Sequence, residues 1–453
     1  MRSSSAWTKR GLRHKSARGH QPPAWIYPGN PTKAIVQRST AIVTFVGLLG
    51  LVLSAPQRQH VERFGDLLVV APRRKTLAQL AALELPGVDP SNLADFFRIS
   101  PWDPDDLRLP LLEFIIDYLK GRNSGDPTCP IFLTIDDSLA AKDKGTRRLE
   151  SVDWHFDHNR KQAIKAGSHV VLRIHWGPFH FPLSWRLYLR ESTVRRLNRR
   201  RKKSKLRYRS KLELAREMLQ QVVSLLPQTN PVYVLFDSWY TSAKLVKWIR
   251  QQDWHVIAAI KSNRKVSGWK LTDWHRCFKG HSYDRVSLEL ANKQQRTYCV
   301  RELTGRLRGV PGIVRVLLSQ KGPGVRTPRC FLSTDTKLSA REILRRYQHR
   351  WAQEVDYWYV KLQLGLGDFR LHSHEAIGKW YAVVYLVLVY LYWQRYETQG
   401  AHGKTTSLSE VLARLREEHQ RAVLRAACEE AANGTPVEQV LTRYLGAAKI
   451  PAA

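Results

Sequence analysis

Short apolar runs of strand length recur through the middle of the chain, separated by polar or amphipathic segments. Residues 131–135 (IFLTI) and 232–236 (VYVLF) are continuous runs of apolar, mostly β-branched or aromatic residues. Such runs are typical of strands buried on both faces of a sheet. Residues 169–176 and 180–189 predict two further strands, which are joined by a tight Gly-Pro turn.

The apolar period becomes helical at residues 212–226 and 241–251, and another strand is predicted at 254–260. The predicted order along the chain is therefore β-β-β-α-β-α-β. Together with the acids described below, this order resembles that of a ribonuclease-H-like domain, so we expect an α/β fold with a mixed sheet flanked by helices. A mostly β insertion and helical N- and C-terminal regions are expected around that core.

Acidic residues follow two of the predicted strands directly. Asp136 and Asp137 come after residues 131–135, and Asp237 comes after 232–236. A carboxylate at such a strand end lies at the rim of the sheet, where α/β proteins commonly carry their chemistry. Asp is also common as a turn-starting or helix-capping residue, so either site alone has a purely structural interpretation.

A third acid lies in the predicted helical stretch 347–361. Tyr347, Arg350, Glu354 and Lys361 are spaced so that, on a regular helix, they project within an arc of roughly 60°. That face could grip phosphates while it offers one carboxylate to a metal ion. The alternative is a solvated face with an Arg350–Glu354 ion pair, worth roughly 0.3 kcal/mol.

These motifs resemble the DDE transposases of the insertion-sequence-four superfamily. The signature of that superfamily is Tyr, two residues, Arg, three residues, Glu, six residues, Lys, and residues 347–361 match it without a gap. An Asp followed by Ser or Thr after the first strand is matched by Asp137-Ser138, and the second aspartate by Asp237. The resemblance covers about residues 130–395, including a long insertion before Glu354.

The resemblance implies roles for individual residues. The catalytic acids and metal ligands would be Asp137, Asp237 and Glu354. The residues that hold DNA phosphates beside the cut would be Tyr347, Arg350 and Lys361. Asp136 is the neighbour of Asp137 and points to the opposite face of a strand, so it could support the site or cap the following turn.

Three converging carboxylates raise one another's pKa unless cations neutralise them. Mg²⁺ is the expected cofactor because it prefers carboxylate oxygen and keeps positions open for water and phosphate. Two Mg²⁺ ions about 4 Å apart are expected, with Mn²⁺ as an alternative. The five cysteines include no CxxC pair that would indicate a zinc site.

The charge of the chain points to a polyanionic partner. The formal net charge is +35, more than solubility requires. The block 190–211 has Glu191 as its only acid, and it is expected to form a loop or frayed helix until DNA neutralises it. A charge tail that serves solubility is the alternative. The candidate DNA-contacting residues in this block are Arg199, Arg200, Arg201, Lys202 and Lys203.

The chain is long for one domain, and its pattern divides it into six segments. These are a disordered basic tail (1–33), a helical region that binds DNA ends (34–125), the first part of the catalytic core (126–265), a β insertion (266–335), the second part of the core (336–395) and a helical C-terminal region (396–453). Strands are expected at 294–301, 312–319 and 329–333 within the insertion. The end-binding assignment rests on position along the chain.

Two apolar runs, 41–54 and 380–393, are shorter than the roughly 20 residues that a membrane-spanning helix needs. Both predict buried core helices, so no membrane association is expected. The polar, basic N-terminus does not have the pattern of a signal peptide, and the unpatterned cysteines fit a reducing compartment. We therefore expect a bacterial cytoplasmic protein associated with the nucleoid.

Taken together, these features predict a DNA transposase that cuts at transposon ends and joins 3′-hydroxyls to target DNA. Its partner would be double-stranded DNA, and it would self-associate when bound. Two alternatives stay open at this point. One is a catalytically silent DNA-binding descendant of a transposase, and the other is a ribonuclease-H-like nuclease that does not rejoin its products.

Overall fold

The computed structural model describes residues 33–72, 74–85, 87–123, 126–158, 160–278, 283–289, 294–320, 327–402 and 406–446. The predicted disordered tail therefore lies, apart from Lys33, outside the described residues. The chain forms two compact units. Of the described residues, the first unit contains those from 33 to 107, Leu139–Ser168 and those from 360 to 446, and the second contains those of Arg108–Ser138 and His169–Tyr359.

The described residues form helices throughout and strands in the middle of the chain. The α-helices are α1 Thr40–Leu48, α2 Ala55–Val70, α3 Leu77–Ala81, α4 Pro90–Arg98, α5 Asp105–Asn123, α6 Glu191–Asn198, α7 Lys211–Val223, α8 Ala243–Arg250, α9 Leu271–Cys277, α10 Ala340–Tyr347, α11 Trp351–Trp358, α12 His374–His402, α13 Leu408–Ala432 and α14 Val437–Leu445. The strands are β1 Ile131–Ala141, β2 Val152–Asp157, β3 Gln162–Trp176, β4 Phe179–Tyr188, β5 Val232–Phe236, β6 His255–Ile260, β7 Lys265–Val266, β8 Trp269–Lys270, β9 Asp284–Glu289, β10 Gln295–Arg306, β11 Ile313–Gln320 and β12 Arg329–Ser333.

The second unit is built on a mixed sheet with the strand order β4-β3-β1-β5-β6-β12-β11-β10-β9. Strands β1, β5 and β6 run parallel to one another, and β12 pairs antiparallel with β6. The β5 run has all five residues buried, as a strand covered on both faces requires. The α/β fold predicted from the apolar runs is confirmed, and each predicted strand and helix of the core is present. The predicted β-β-β-α-β-α-β order lacks one strand, β2, which pairs with β3.

The predicted strands of the insertion are also present. They correspond to β10, β11 and β12, which pair antiparallel in sequence order. Their apolar side chains are buried on the inner face, as shown by Val314, Val316 and Leu332. The insertion is therefore mostly β, as predicted, and it extends the sheet of the second unit beyond β6.

Two further elements differ from the sequence prediction. Strand β1 does not end before the acidic pair but continues through Asp136 and Asp137 to Ala141. The basic block begins with a regular helix, α6, because Thr193, Val194 and Leu197 form a buried face on it. Within the basic block, the residues that connect α6 to α7 have no regular structure.

The stretch 347–361 is helical, but the prediction of one regular helix face is wrong. A 3₁₀ turn at Gln348–Arg350 separates α10 from α11, and a π-helical turn follows at Tyr359–Gln363. A 3₁₀ turn advances by about 120° per residue, and π turns advance by less than an α-helix does. The arc calculated for a regular helix therefore does not extend to Lys361, which belongs to the first unit.

A buried ion pair fixes α11 on the sheet of the second unit. The Arg173 side chain on β3 is 1% exposed and pairs with Asp356, which is fully buried on α11. One turn away, the Gln353 side-chain amide donates hydrogen bonds to the Val171 carbonyl at 3.0 Å and to the Tyr357 hydroxyl at 3.1 Å. These contacts set the rotation of α11 about its own axis.

Three histidine rings pack together beside the start of that helix. The His175 ring centroid lies 4.6 Å from that of His180 and 4.3 Å from that of His349. His349 also stacks on Phe132 of β1, at 4.4 Å between ring centroids. Burial, followed by the charges of nearby arginines, lowers the pKa of His349 to about 4, so this ring is neutral at physiological pH.

The first unit contains α1 to α4, α12 to α14 and the β2–β3 hairpin. Helix α12 is its core: Trp380 packs against Phe64 and Phe97, and Tyr390 packs against Phe45. Among the described residues, one helical segment, His374–Thr398, is long and apolar enough to cross a membrane, but 94% of its most apolar window is buried inside the protein. The predicted core helix at 380–393 is thus confirmed.

The other apolar run is helical over only part of its length. Helix α1 ends at Leu48, and the rest of the run up to Ser54 has no regular structure. Gly50 has a positive φ of 57°, a conformation that ends the helix and that other residues adopt rarely. The prediction of a core helix over 41–54 is correct for 41–48 alone.

Removing one partner of the buried ion pair leaves the other charge unpaired in the core. We expect Asp356→Ala to lower the free energy of unfolding by about 3–5 kcal/mol, measured by urea denaturation. The control is Glu417→Ala, which breaks the exposed Arg421–Glu417 pair on α13 and should change stability by less than about 1 kcal/mol. Equal effects of the two substitutions would contradict the anchoring role of Arg173 and Asp356.

The buried histidines predict acid sensitivity. Because the pKa of His349 is lower in the folded than in the unfolded protein, its contribution to stability is complete above about pH 6.5 and is lost as the pH falls towards 4. We expect this group to account for up to about 3 kcal/mol of that loss. Urea denaturation from pH 7.5 to 4.5 should show a shallower pH dependence for His349→Gln than for the wild type. His158→Gln, which alters an exposed ring, should leave the curve unchanged.

Candidate active site

The pairing of β1 with β5 brings two acids to the same level of the sheet. Ile135 and Phe236 are register partners in this parallel pair. Asp136 and Asp237 directly follow these two residues along the chain, Asp136 within β1 and Asp237 just after the end of β5. The register thus brings Asp136 and Asp237 close together at this edge of the sheet.

Asp136 lies at the centre of a cluster of acids. Its Oδ2 accepts a hydrogen bond from Arg350 Nη1 at 2.6 Å, and the same nitrogen lies 3.6 Å from Glu354 Oε1. Burial is the main cause that raises the pKa of Asp136 to about 8; Arg350 opposes it, and the charges of Asp237, Asp137 and Glu354 add to it. Several carboxylates therefore lie close together, and the Arg350 guanidinium neutralises part of their negative charge.

Tyr347 and Arg350 border this cluster. Burial, opposed by Arg350 and reinforced by Asp237 and Asp136, raises the pKa of the Tyr347 hydroxyl. The Tyr347 ring packs edge-on against Phe331 of β12, with the centroids 5.0 Å apart. The structure therefore brings together four of the predicted residues: Asp237, Tyr347, Arg350 and Glu354.

Asp137 has different partners. Its Oδ2 is 2.5 Å from the Lys211 ammonium, and its Oδ1 accepts a hydrogen bond from the Tyr240 hydroxyl at 3.1 Å. Tyr240 is fully buried. Burial, followed by the charges of Asp137, Asp136 and Asp237, raises its pKa well above the ordinary value, so it remains a hydrogen-bond donor. Asp137 is thus neutralised by the chain itself.

The turn after β5 fixes Asp237. Its Oδ1 accepts a hydrogen bond from the backbone N–H of Trp239 at 2.9 Å. The Thr241 hydroxyl lies 3.2 Å from the Asp237 carbonyl and 2.9 Å from the carbonyl of Ala259. Trp239 itself is 51% exposed. The backbone around this acid is therefore braced while its neighbouring indole faces solvent.

The predicted basic residues lie on a closed loop between α6 and α7. The Asn198 side chain donates to the Leu206 carbonyl and accepts from the Leu206 N–H, both at 2.8 Å. These two hydrogen bonds close the loop at its base, although a loop or frayed helix without fixed structure was predicted there. The exposed members at its tip are Arg199, Arg200, Lys202 and Lys203, while Arg201 is half-buried.

Three residues of the site were not predicted from the sequence. Lys211 and Tyr240 hold Asp137, and Arg329, at the start of β12, lies close enough to Tyr347 and Arg350 to interact with them electrostatically. Burial is the main cause that lowers the pKa of Arg329 to about 10. Of these three, only Lys211 could have been located from the sequence. The Ser210 and Glu213 spacing is that of a capping box, which predicts that a helix begins at Lys211.

The donor chemistry of this cluster fits a divalent cation. Carboxylates that raise one another's pKa are relieved when a hard cation binds them. Within the described ranges, no three His, Cys, Asp or Glu side chains stand close enough to share one ion. Arg350 lies instead within ion-pair distance of both Asp136 and Glu354, so it partly supplies the positive charge that these acids require.

Comparison with known proteins identifies the same residues as part of a family domain. The profile described as DDE superfamily endonuclease matches residues 50–272, and that of the transposase DDE domain matches residues 213–390. A probable transposase for insertion sequence element IS701 from Microchaete diplosiphon is 28% identical over 329 residues, which are 70% of this chain and 77% of that protein.

Among solved structures, the chain is similar to piggyBac transposase in its synaptic complex with hairpin DNA. The identity is 12% and the TM-score 0.46, over 92% of this chain and 83% of that one. The two family profiles together extend over both strand-end acids and the Glu354 helix. Residues 50–390 thus match DDE-type domains, and the chain is a DNA transposase that depends on a divalent metal.

Proposed function

We propose that this transposase cuts DNA at the ends of its transposon and joins the freed 3′-hydroxyls to target DNA. The observation that carries the proposal is the gathering of Asp136, Asp237 and Glu354 around the Arg350 guanidinium. A cluster of acids with a phosphate-binding cation beside it suits phosphodiester chemistry and has no use in an apolar core.

The proposed ligands of two Mg²⁺ ions are Asp136, Asp237 and Glu354. The register of β1 and β5 supports Asp136 as the first ligand, because it lies level with Asp237 and its carboxylate contacts Arg350. The sequence pattern favours Asp137, the acid directly before Ser138, and that prediction is kept as the competing assignment. When bound, the ions would activate the attacking oxygen and stabilise the leaving one.

The first step is hydrolysis at the transposon end. The water oxygen forms a bond to phosphorus, the P–O3′ bond breaks, and the 3′-oxygen takes up a proton. In the second step, that 3′-hydroxyl loses its proton as its oxygen attacks a target phosphodiester, and the target O3′ leaves. Both steps put negative charge on phosphate oxygens beside the acids.

The cations of the chain act on that charge. Arg350 exchanges its contact with Asp136 for a DNA phosphate when the acids are otherwise neutralised, and a guanidinium suits phosphate because it can donate two parallel hydrogen bonds. Tyr347 donates its hydroxyl proton to phosphate, which its raised pKa permits. Lys361 is proposed to hold a further phosphate of the same strand.

DNA outside the cut is held by the basic loop and by the helical region 34–125. Arg199, Arg200, Arg201, Lys202 and Lys203 supply sequence-independent phosphate contacts. The N-terminal helices are proposed to recognise the transposon ends. Because two ends must be joined in one reaction, we propose that the protein self-associates on DNA and works in the cytoplasm at the nucleoid.

The decisive variant for the overall function is Glu354→Gln, which keeps the shape of the side chain and removes its charge. We expect cleavage of a labelled duplex carrying the inverted repeats that flank the gene, in Mg²⁺, to fall by roughly 10³-fold or more, while DNA binding persists. Glu417→Gln on the exposed face of α13 should cut like the wild type.

The outcomes separate the competing functions. Equal cutting by wild type and Glu354→Gln would overturn the assignment of the acids. Binding without cutting by the wild type would favour a catalytically silent descendant. Cutting without transfer of the 3′-hydroxyl to an added target duplex would favour a nuclease that does not rejoin.

The choice between the neighbouring acids is tested by Asp136→Asn and Asp137→Asn in the same cleavage assay. If Asp136 is the metal ligand, Asp136→Asn should lose roughly 10³-fold in cleavage, and higher Mn²⁺ should not restore it. Asp137→Asn should retain more activity, because its carboxylate holds Lys211 and Tyr240. The reverse order of effects would assign the first ligand to Asp137.

A further inference from the structure

The ammonium of Lys211 is held beside the acid cluster by three contacts. Its Nζ lies 2.5 Å from Asp137 Oδ2, and its side chain is 16% exposed. The rings of Tyr188 and Trp239 face it, with their centroids 5.2 Å and 5.6 Å from Nζ. A lysine side chain is ordinarily flexible, so the carboxylate and the two rings restrict it to a defined position.

The position of this cation is set by the same strand that carries the acids. Asp137 is the chain neighbour of Asp136, and its backbone N–H donates to Asp136 Oδ1 at 2.9 Å. The partner of Lys211 is therefore tied directly to the carboxylate that lies among Asp237 and Glu354. Asp137 interacts electrostatically with Asp136, and both act together with Asp237 on the Tyr240 hydroxyl. The ion pair of Lys211 therefore belongs to the same group of charges as the acid cluster.

The backbone that leads to Lys211 is the most basic part of the chain. Lys211 is the first residue of α7. The basic loop that Asn198 and Leu206 close ends a few residues before it, and its exposed cations are Arg199, Arg200, Lys202 and Lys203. DNA that is attracted to the loop is thereby drawn towards Lys211, because electrostatic attraction by neighbouring cations acts jointly on one phosphate backbone.

We infer that Lys211 binds the phosphate that is cut, and that Asp137, Tyr188 and Trp239 are positioning residues that hold its ammonium ready. The inference rests on the proposed function, because it assumes that the cut phosphate lies at the acid cluster. On DNA binding, the ammonium leaves Asp137 Oδ2 for a non-bridging phosphate oxygen. Tyr240 keeps its hydrogen bond to Asp137 and limits the cost of that exchange.

The alternative is that Lys211 only neutralises Asp137 and stabilises the fold. The two roles differ in what the charge contacts. A phosphate contact contributes about one unit to the slope of log affinity against log salt concentration, whereas an internal ion pair contributes nothing to that slope. A contact to one particular phosphate also disappears when that phosphate carries no charge.

The test uses Lys211→Met, which keeps length and removes charge, Lys211→Arg, which keeps charge, and the control Lys270→Met at an exposed lysine of β8. Affinity for the duplex is measured from about 50 to 200 mM salt. We expect Lys211→Met to lower the slope by about one unit, and Lys211→Arg and Lys270→Met to keep the wild-type slope. Single-turnover cleavage by Lys211→Met should fall by roughly 10²-fold.

The contact is located with a second duplex in which the cut phosphate is a single, uncharged methylphosphonate. The affinity lost by Lys211→Met on normal DNA should vanish on this duplex, because the charge that Lys211 meets is already gone. A loss that persists on the methylphosphonate duplex would overturn the inference, as would an unchanged salt slope. If Lys211→Met does not fold, as judged by circular dichroism, Lys211→Gln is tested in the same cycle.

Failure of the inference and failure of the proposed function can be told apart. If the wild type cuts and Lys211→Met cuts and binds equally well, the inference about Lys211 alone is wrong. If the wild type binds but does not cut, the proposed function fails. In that case the salt slope still shows whether Lys211 contacts phosphate.

Discussion

The buried pair of Arg173 and Asp356 determines what the acidic helix can do. Asp356 lies two residues after Glu354, so with Asp356 held against the sheet the Glu354 side chain points in a different direction, where its carboxylate lies 3.6 Å from Arg350. Burial of an ion pair adds little net stability, since desolvation offsets much of the attraction. Its value here is orientation: a hydrophobic contact would allow α11 to rotate, whereas this pair and the Gln353 hydrogen bond to β3 do not.

Electrostatic balance is the second constraint on the site. Four acidic side chains, Asp136, Asp137, Asp237 and Glu354, interact in a small volume, and two basic ones neutralise part of their charge. The two cations differ in kind. Arg350 is a planar donor that lies near two carboxylates, while Lys211 is a compact charge enclosed by a carboxylate and aromatic rings. The protein therefore folds with its acids partly compensated.

The sequence was sufficient to predict the core strands β1, β3, β4, β5 and β6 and the acids, because continuous apolar runs and the Tyr/Arg/Glu/Lys spacing are local signals. It did not predict β2, whose mostly exposed and half-buried residues carry no apolar run. It was insufficient wherever the answer depended on pairing between distant segments. Asp136 contacts Arg350 whereas Asp137 contacts Lys211, and no local pattern encodes these long-range contacts. The 3₁₀ and π turns that interrupt the helix near Glu354 were also missed, because the spacing of residues in the sequence was read on one regular α-helix.

The clamp that Asn198 forms on Leu206 gives the basic loop a defined shape before it meets DNA. A disordered segment with the same charges would lose conformational entropy on binding and give up part of its attraction in doing so. The clamped loop loses less, so more of its electrostatic attraction is retained as affinity. An uncharged side chain that need not touch the nucleic acid thus helps to set how tightly the transposase holds it, independently of the number of positive charges.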